Sequence, residues 1–184
     1  MRNPKLPVVE MSASSLVVWA MVLFLIPLPW TVAWIVSVLI HELSHYLAVR
    51  ICGGNVLAVR INAGGVSLET GVLSDGKSIV CLLAGPIGGL LLLSLSNIFP
   101  RVALCGLIHS AYNLIPVYPL DGGRVLRKGL AFLPFRKTAQ IIEIVLLLVV
   151  VGTCIWFAIH YSFGILPLLL AAGFVLQSRK AKVP

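Results

Sequence analysis

The sequence predicts an all-α integral membrane protein of about six transmembrane helices, with a short β-hairpin in the loop between helices two and three. Three observations predict it. Apolar residues make up 59% of the 184 positions and charged residues 11%, where a soluble domain carries about a quarter charged residues. Six apolar stretches recur along the chain, several of them long enough to cross a bilayer, which takes roughly 20 residues as a helix. The basic residues lie in short clusters between those stretches, as loops that set topology do.

The six segments run from Ser12 to Pro29, Thr31 to Val49, Ser78 to Ile98, Val102 to Val117, Ala139 to Ile159 and Ser162 to Leu176. The first follows Arg2 and Lys5 in the manner of a signal peptide. It lacks a small-residue cleavage site and runs into Pro27, Pro29 and Trp30, so it is read as a retained helix. The fourth is short and ends in the proline-broken stretch Pro116-Val-Tyr-Pro119. Non-helical backbone at that depth is tolerated only inside protein or along a cavity. With the N-terminus in the cytoplasm and sides alternating, 13 of the 14 Lys and Arg residues fall inside and Arg101 alone outside. Six spans with both termini cytoplasmic therefore satisfy the positive-inside rule, whereas five or seven scatter the charge. The expected organisation is one membrane-embedded domain over 1–184, with a core at about 30–130, an extra helix at 12–29 and extra C-terminal helices within 139–176.

The net charge of +8 is accounted for by this topology, and its dispersion excludes a nucleic-acid-binding face. Cys52, Cys81, Cys105 and Cys154 each fall in or at the end of a different apolar segment, with no C-x-x-C spacing. That pattern supports neither a zinc–thiolate site nor a disulfide framework. In the loop 50–77, Val59 and Ile61, then Val66 and Leu68, alternate around Ala63-Gly64-Gly65, as strands about a Gly-rich turn do. Such a hairpin has two uses: an edge that pairs with an extended peptide, or a packing element on the membrane surface. The second loop, near 118–138, carries five basic residues, which topology again explains.

The chemistry centres on the segment His41-Glu42-Leu-Ser-His45. Six acidic residues occur in the chain, and Glu42 stands inside the second apolar segment. A charge there costs roughly 2.5 to 3.5 kcal/mol on insertion scales, which makes it a functional-site hypothesis by default. H-E-x-x-H is the pattern in which two histidines one helical turn apart bind zinc. Residues i and i+4 share one helix face about 6 Å apart along the axis, so two imidazoles converge on one ion. Glu42, about 100° round the helix, reaches a water on that ion, whose pKa zinc lowers to about 7. The alternative is a pair of histidines linking helices, and the apolar surroundings disfavour it.

A catalytic zinc takes three protein ligands and keeps one position open. Asp121 is the candidate third ligand. It follows the fourth segment in Asn113-Leu-Ile-Pro116-Val-Tyr-Pro119-Leu-Asp121-Gly-Gly, and segments two and four both run outside to inside. Gly122 and Gly123 are expected to let the backbone turn sharply beside the ion. Alone, Asp121 reads as a turn aspartate before Gly-Gly; the pairing with the histidines reverses that order. His109, four residues before Asn113 on the same helix face, has three readings: a further ligand, a partner that orients Asp121, or a packing histidine. His160 reads as an interfacial residue.

The two motifs together resemble the site-2 protease family of intramembrane zinc metalloproteases. His41–His45 matches the family's H-E-x-x-H, and Asn113–Gly122 matches its N-x-x-P-x-x-P-x-D-G. Ala84-Gly85-Pro86 resembles a further family signature, and Ser44 stands where many members have glycine. The resemblance covers about residues 30–130. It implies one catalytic Zn2+ held by His41, His45 and Asp121, with Glu42 as general base and Asn113 on substrate backbone. Pro116, Pro119, Gly64 and Gly65 are further candidate substrate-binding residues, offering places to hold an extended strand. The span layout is similar to the stage IV sporulation factor B protease branch, whose members act on a membrane-associated pro-sigma factor. A C-terminal CBS domain is not expected beyond Pro184.

The expected activity is therefore hydrolysis of peptide bonds in membrane-embedded or membrane-associated proteins. The expected setting is a bacterial cell membrane, with the active site towards the cytoplasmic side. The bilayer, a membrane-protein substrate and regulatory membrane partners are the expected partners. Two functions of other classes compete. A metal transporter calls for ligands spread along a path and near-symmetric halves, and neither is seen. A proteolytically inactive scaffold has no need of the full catalytic set.

Overall fold

The computed structural model describes residues 8–11, 26–62, 65–130 and 136–160, with scattered positions in 13–24 and 171–175. These residues are mostly helical with one small sheet, and they fall in two compact units, Met1–Ala111 and Tyr112–Pro184. Among the described residues, three helices are long and apolar enough to cross a membrane: Leu28–Ile51, Asp75–Leu95 with its terminal turn, and Ile141–His160. Most of the predicted first and sixth segments, Ser12–Pro29 and Ser162–Leu176, lies outside the described residues.

In the first unit the central element is α1, Leu28–Ile51. Pro29 sits in its first turn, where a missing N–H costs nothing. Gly53, at φ 81°, ends it, the left-handed position that glycine takes without strain. Its buried residues include Ala33, Ser37, His41, His45 and Val49, one per turn. Leu39, Leu43, Leu47 and Ile51 are exposed. The helix thus turns leucines outward and small or polar side chains inward, the arrangement expected where the outer medium is lipid.

The hairpin predicted in the following loop is present as β2, Val56–Asn62, and β3, Gly65–Thr70, with β1 at Val8–Met11. The order is β1-β2-β3, with β2 and β3 antiparallel and β1 parallel to β2. Val59 pairs with Leu68, and both pack on a core of Val49, Val56 and Cys81 that fastens the sheet to α1. The strand at 8–11 has no counterpart in the predicted elements. Its four residues alternate too weakly to declare themselves, and it is held by a cross-strand pairing far along the chain. Arg60 in β2 bridges Glu10 of β1 at 2.9 Å and Glu69 of β3 at 3.2 Å. Those carboxylates, Glu10 foremost, raise the Arg60 pKa above its ordinary value.

Helix α2, Asp75–Leu91, packs along α1 and continues into a tighter turn at Leu92–Leu95. Helix α3, Pro100–Asn113, follows. At 14 residues it is about 21 Å long, short of the roughly 30 Å hydrocarbon thickness. The predicted fourth span, Val102–Val117, therefore forms a helix only as far as Asn113. At one end of this unit the Arg101 guanidinium lies over the Trp30 ring at 5.8 Å. At the other end of α1, Arg50 donates to Asn55 and Lys77 donates to the Cys52 carbonyl.

In the second unit, residues 114–120 form a non-helical stretch held by its own backbone turns, with a cis peptide before Pro119. Helix α4, Asp121–Leu130, and α5, Arg136–His160, complete the described elements. The helix at 121–130 corrects the expected loop at 118–138. Val117 and Leu120 are buried against Leu146, Leu147 and Val150 of α5. Arg127 lies over the Tyr118 ring at 4.2 Å and donates to Glu143 at 2.8 Å, fixing α4 on the same support.

Candidate metal centre

His41 and His45 occupy successive turns of the inward face of α1, and both are buried, at 1% and 9% exposure. Their Nε2 atoms stand 3.1 Å apart. Two nitrogens about 2.05 Å from a tetrahedral zinc are about 3.3 Å apart, so the pair has the spacing of ligands sharing one ion. The Nδ1 atom of His45 lies 2.7 Å from the Cys81 carbonyl oxygen. A carbonyl only accepts, so Nδ1 carries the proton and the lone pair of Nε2 faces the site. Such an outer bond fixes the tautomer and ring plane of a metal-binding histidine. Glu42 is half-buried beside them.

Helix α2 makes room for this pair. A Cβ on Gly85 would stand within 3.0 Å of His45 Nε2, Cε1 and Cδ2. The sequence marks Ala84-Gly85-Pro86 only as a signature; the structure supplies the reason, since any side chain at 85 occupies the place of the imidazole. One turn on, a Cβ on Gly88 would meet the Ser44 side chain, with Ser44 Cβ at 2.6 Å. Ser44 in turn donates to the Ile40 carbonyl at 2.8 Å. The serine in place of the commoner glycine is thus accommodated by a glycine on the facing helix. Neither Gly85 nor Gly88 is named as a site residue by motif reasoning. The signal that could have found them is the spacing of Cys81, Gly85, Gly88 and Gly89 along one helical face.

Asp121 is the first residue of α4 and is buried, at 8% exposure. A carboxylate in the first helical turn is favoured by the exposed N–H groups there. Gly122 and Gly123 do not form a turn beside it, as expected from sequence. They lie in the first turn of α4, where a Cβ would strike Leu114 and Ile115, or Val117 and Tyr118, of the non-helical stretch. Their smallness lets that stretch cross the helix start closely enough to hold Asp121 in place. The first unit thus holds a buried histidine pair, and the second unit holds the buried carboxylate of the candidate third ligand, Asp121. Two imidazoles and a carboxylate are a donor set that catalytic zinc uses.

Among the substrate-binding candidates, Asn113 ends α3 and is half-buried, Pro116 is exposed and Pro119 half-buried in the non-helical stretch. Gly65 opens β3, and Gly64 lies outside the described residues. His109 packs edge-on against His41, with ring centroids 4.6 Å apart. His160 stacks on Trp156 in the last turn of α5. The four cysteines are free thiols.

Apolar helices of spanning length around a buried metal-ligand group are the makings of a membrane metalloprotein. The family model for Peptidase M50B-like proteins matches residues 14–108, and the chain belongs to that family. It is similar to a zinc metalloprotease of Methanocaldococcus jannaschii, 32% identical over 116 residues covering 53% of this chain. Those residues cover 34% of that protein, so the chain spans about a third of its curated relative's length. The fold is also that of a site-2 protease from Methanocaldococcus jannaschii, with a TM-score of 0.66 at 19% identity. That match covers 96% of this chain and 91% of the other.

Proposed function

We propose that this protein is an intramembrane zinc metalloendopeptidase of the site-2 type. The observation that carries the proposal is the buried His41–His45 pair, its Nε2 atoms 3.1 Å apart and its outer nitrogen bonded to the Cys81 carbonyl. His41, His45 and Asp121 would hold the ion, which would supply the acidity that activates water near neutral pH and the positive charge that polarises the scissile carbonyl. Glu42 takes the proton of the attacking water and returns it to the leaving amine nitrogen, the ordinary exchange of a general base. Burial keeps bulk water from competing and strengthens each of these charge interactions.

The substrate class is a membrane-embedded or membrane-associated protein, and the regulators are other membrane proteins. A helical peptide bond hides its carbonyl in backbone hydrogen bonds, so the cleaved segment is held extended. Asn113, Pro116, Pro119 and the Gly64–Gly65 turn are assigned to holding it, by strand addition at the sheet edge. Six spans, cytoplasmic termini and an active site towards the cytoplasmic side accord with the charge distribution, and a bacterial cell membrane is the setting assigned on the resemblance to the stage IV sporulation factor B branch. A pro-sigma or anti-sigma factor is a candidate substrate on the resemblance to the stage IV sporulation factor B branch.

The test is cleavage of a membrane-protein substrate by the full chain reconstituted in proteoliposomes. Glu42→Gln abolishes cleavage while zinc stays bound. A variant that still cuts at the wild-type rate refutes the assignment of Glu42. Metal flux without cleavage by the wild type refutes the proposal as a whole.

A further inference from the structure

The motifs account for one face of the His41 imidazole but not for what stands behind it. In the first unit, rings follow one another from Trp34 to His109 to His41 to His45. Trp34 and His109 have centroids 5.2 Å apart and planes at 86°. His109 and His41 are 4.6 Å apart at 79°, and His41 and His45 are 4.7 Å apart at 82°. Each contact is edge-to-face, the arrangement in which the positive edge of one ring meets the negative face of the next. His45 has its plane set by the Cys81 carbonyl. The His41 ring meets both His45 and His109, and His109 is itself backed by Trp34.

We infer that His109 is a positioning residue of the metal centre: braced by Trp34, its ring holds the His41 imidazole in the plane that presents Nε2 to the ion. This inference rests on the zinc reading above. It differs from the three roles open to His109 from sequence, because it acts on His41 through ring contact. A phenyl group keeps that contact, whereas a ligand or hydrogen-bonding role requires the nitrogens.

The test uses the purified full-length chain, stripped with a chelator. Zn2+ affinity is measured by competition with a chromophoric chelator, and the site is then loaded with Co2+ and its visible absorption recorded. His109→Ala weakens Zn2+ binding about tenfold, as loss of a ligand's outer support does, and shifts the Co2+ bands. His109→Phe stays close to wild type in both. Trp34→Leu, remote from the ion, moves both in the direction of the alanine variant and supplies a second reading should His109→Ala fold poorly. Wild-type affinity and bands in His109→Ala or in a folded Trp34→Leu overturn the inference. So does a phenylalanine variant as impaired as the alanine one, which makes His109 a nitrogen donor instead. Wild-type protein that holds neither Zn2+ nor Co2+ refutes the zinc reading itself and this inference with it. Tight wild-type binding that His109→Ala leaves unchanged refutes this inference alone.

Discussion

The contact between Gly85 and His45 permits a worked prediction. In Gly85→Ala the new Cβ would lie 2.7 Å from His45 Cδ2, and closer still to Cε1 and Nε2. Ordinary carbon contacts begin near 3.5 Å, so the ring must retreat by roughly 0.8 Å at Cδ2 and by more at Nε2. A zinc ligand tolerates about 0.2 Å of misplacement. The variant therefore loses His45 as a ligand, and Zn2+ affinity falls by at least about 100-fold, or about 2.7 kcal/mol. Helix propensity works the other way, since alanine is favoured over glycine in a helix interior by about 0.5–1 kcal/mol. The assay is competition for Zn2+ against a chromophoric chelator, with thermal unfolding in detergent measured alongside. Gly76→Ala, in the same helix with nothing within 4 Å of its Cβ, is the control and binds zinc as the wild type does. If Gly85→Ala also binds zinc normally and unfolds at the wild-type temperature, the placement of α2 against His45 is wrong.

Other consequences can be checked in parallel. Gly88→Ala destabilises the fold by about 1–3 kcal/mol through overpacking. Adding Ser44→Gly restores most of that loss, because the remaining neighbour, the Ile40 carbonyl, lies at 3.6 Å; thermal melts of the two single variants and the double variant decide it. Gly122→Ala and Gly123→Ala meet backbone rather than a side-chain tip, so no single partner substitution rescues them and both lower protein stability and zinc retention, read by the same melts and chelator competition. Prolonged chelation abolishes cleavage, and stoichiometric Zn2+ restores it, as followed on the reconstituted substrate. Arg60→Ala, which breaks two exposed ion pairs, changes stability by no more than about 1 kcal/mol and leaves zinc affinity unchanged.

Much of the site was legible in the chain itself, for local reasons. His41, Glu42 and His45 lie within five residues, so helix geometry alone sets their mutual placement. The apolar segment around them makes an ionisable group expensive enough to need an explanation. The hairpin at 56–70 was legible because alternation and glycine are local signals, and the three apolar helices because spanning length is a property of composition. The non-local features were not readable. Strand β1 depends on pairing with β2, about fifty residues away. The helical start at Asp121 reads as a turn from sequence, because Gly-Gly is ambiguous until the non-helical stretch crossing it is known.

Composition and spacing by themselves determined that this is a helical protein with segments long and apolar enough to span a membrane and a histidine pair shaped for a metal. Both are properties of one segment at a time, where apolar composition and helical phase leave few alternatives. Only the tertiary structure decided what keeps those histidines in place: the Cys81 carbonyl on His45, the bare backbone at Gly85, the His109 ring on His41 and the close crossing at Gly122 and Gly123. Each is a contact between segments that no pattern within one segment encodes, because it depends on how near two backbones come and on which atoms are absent between them.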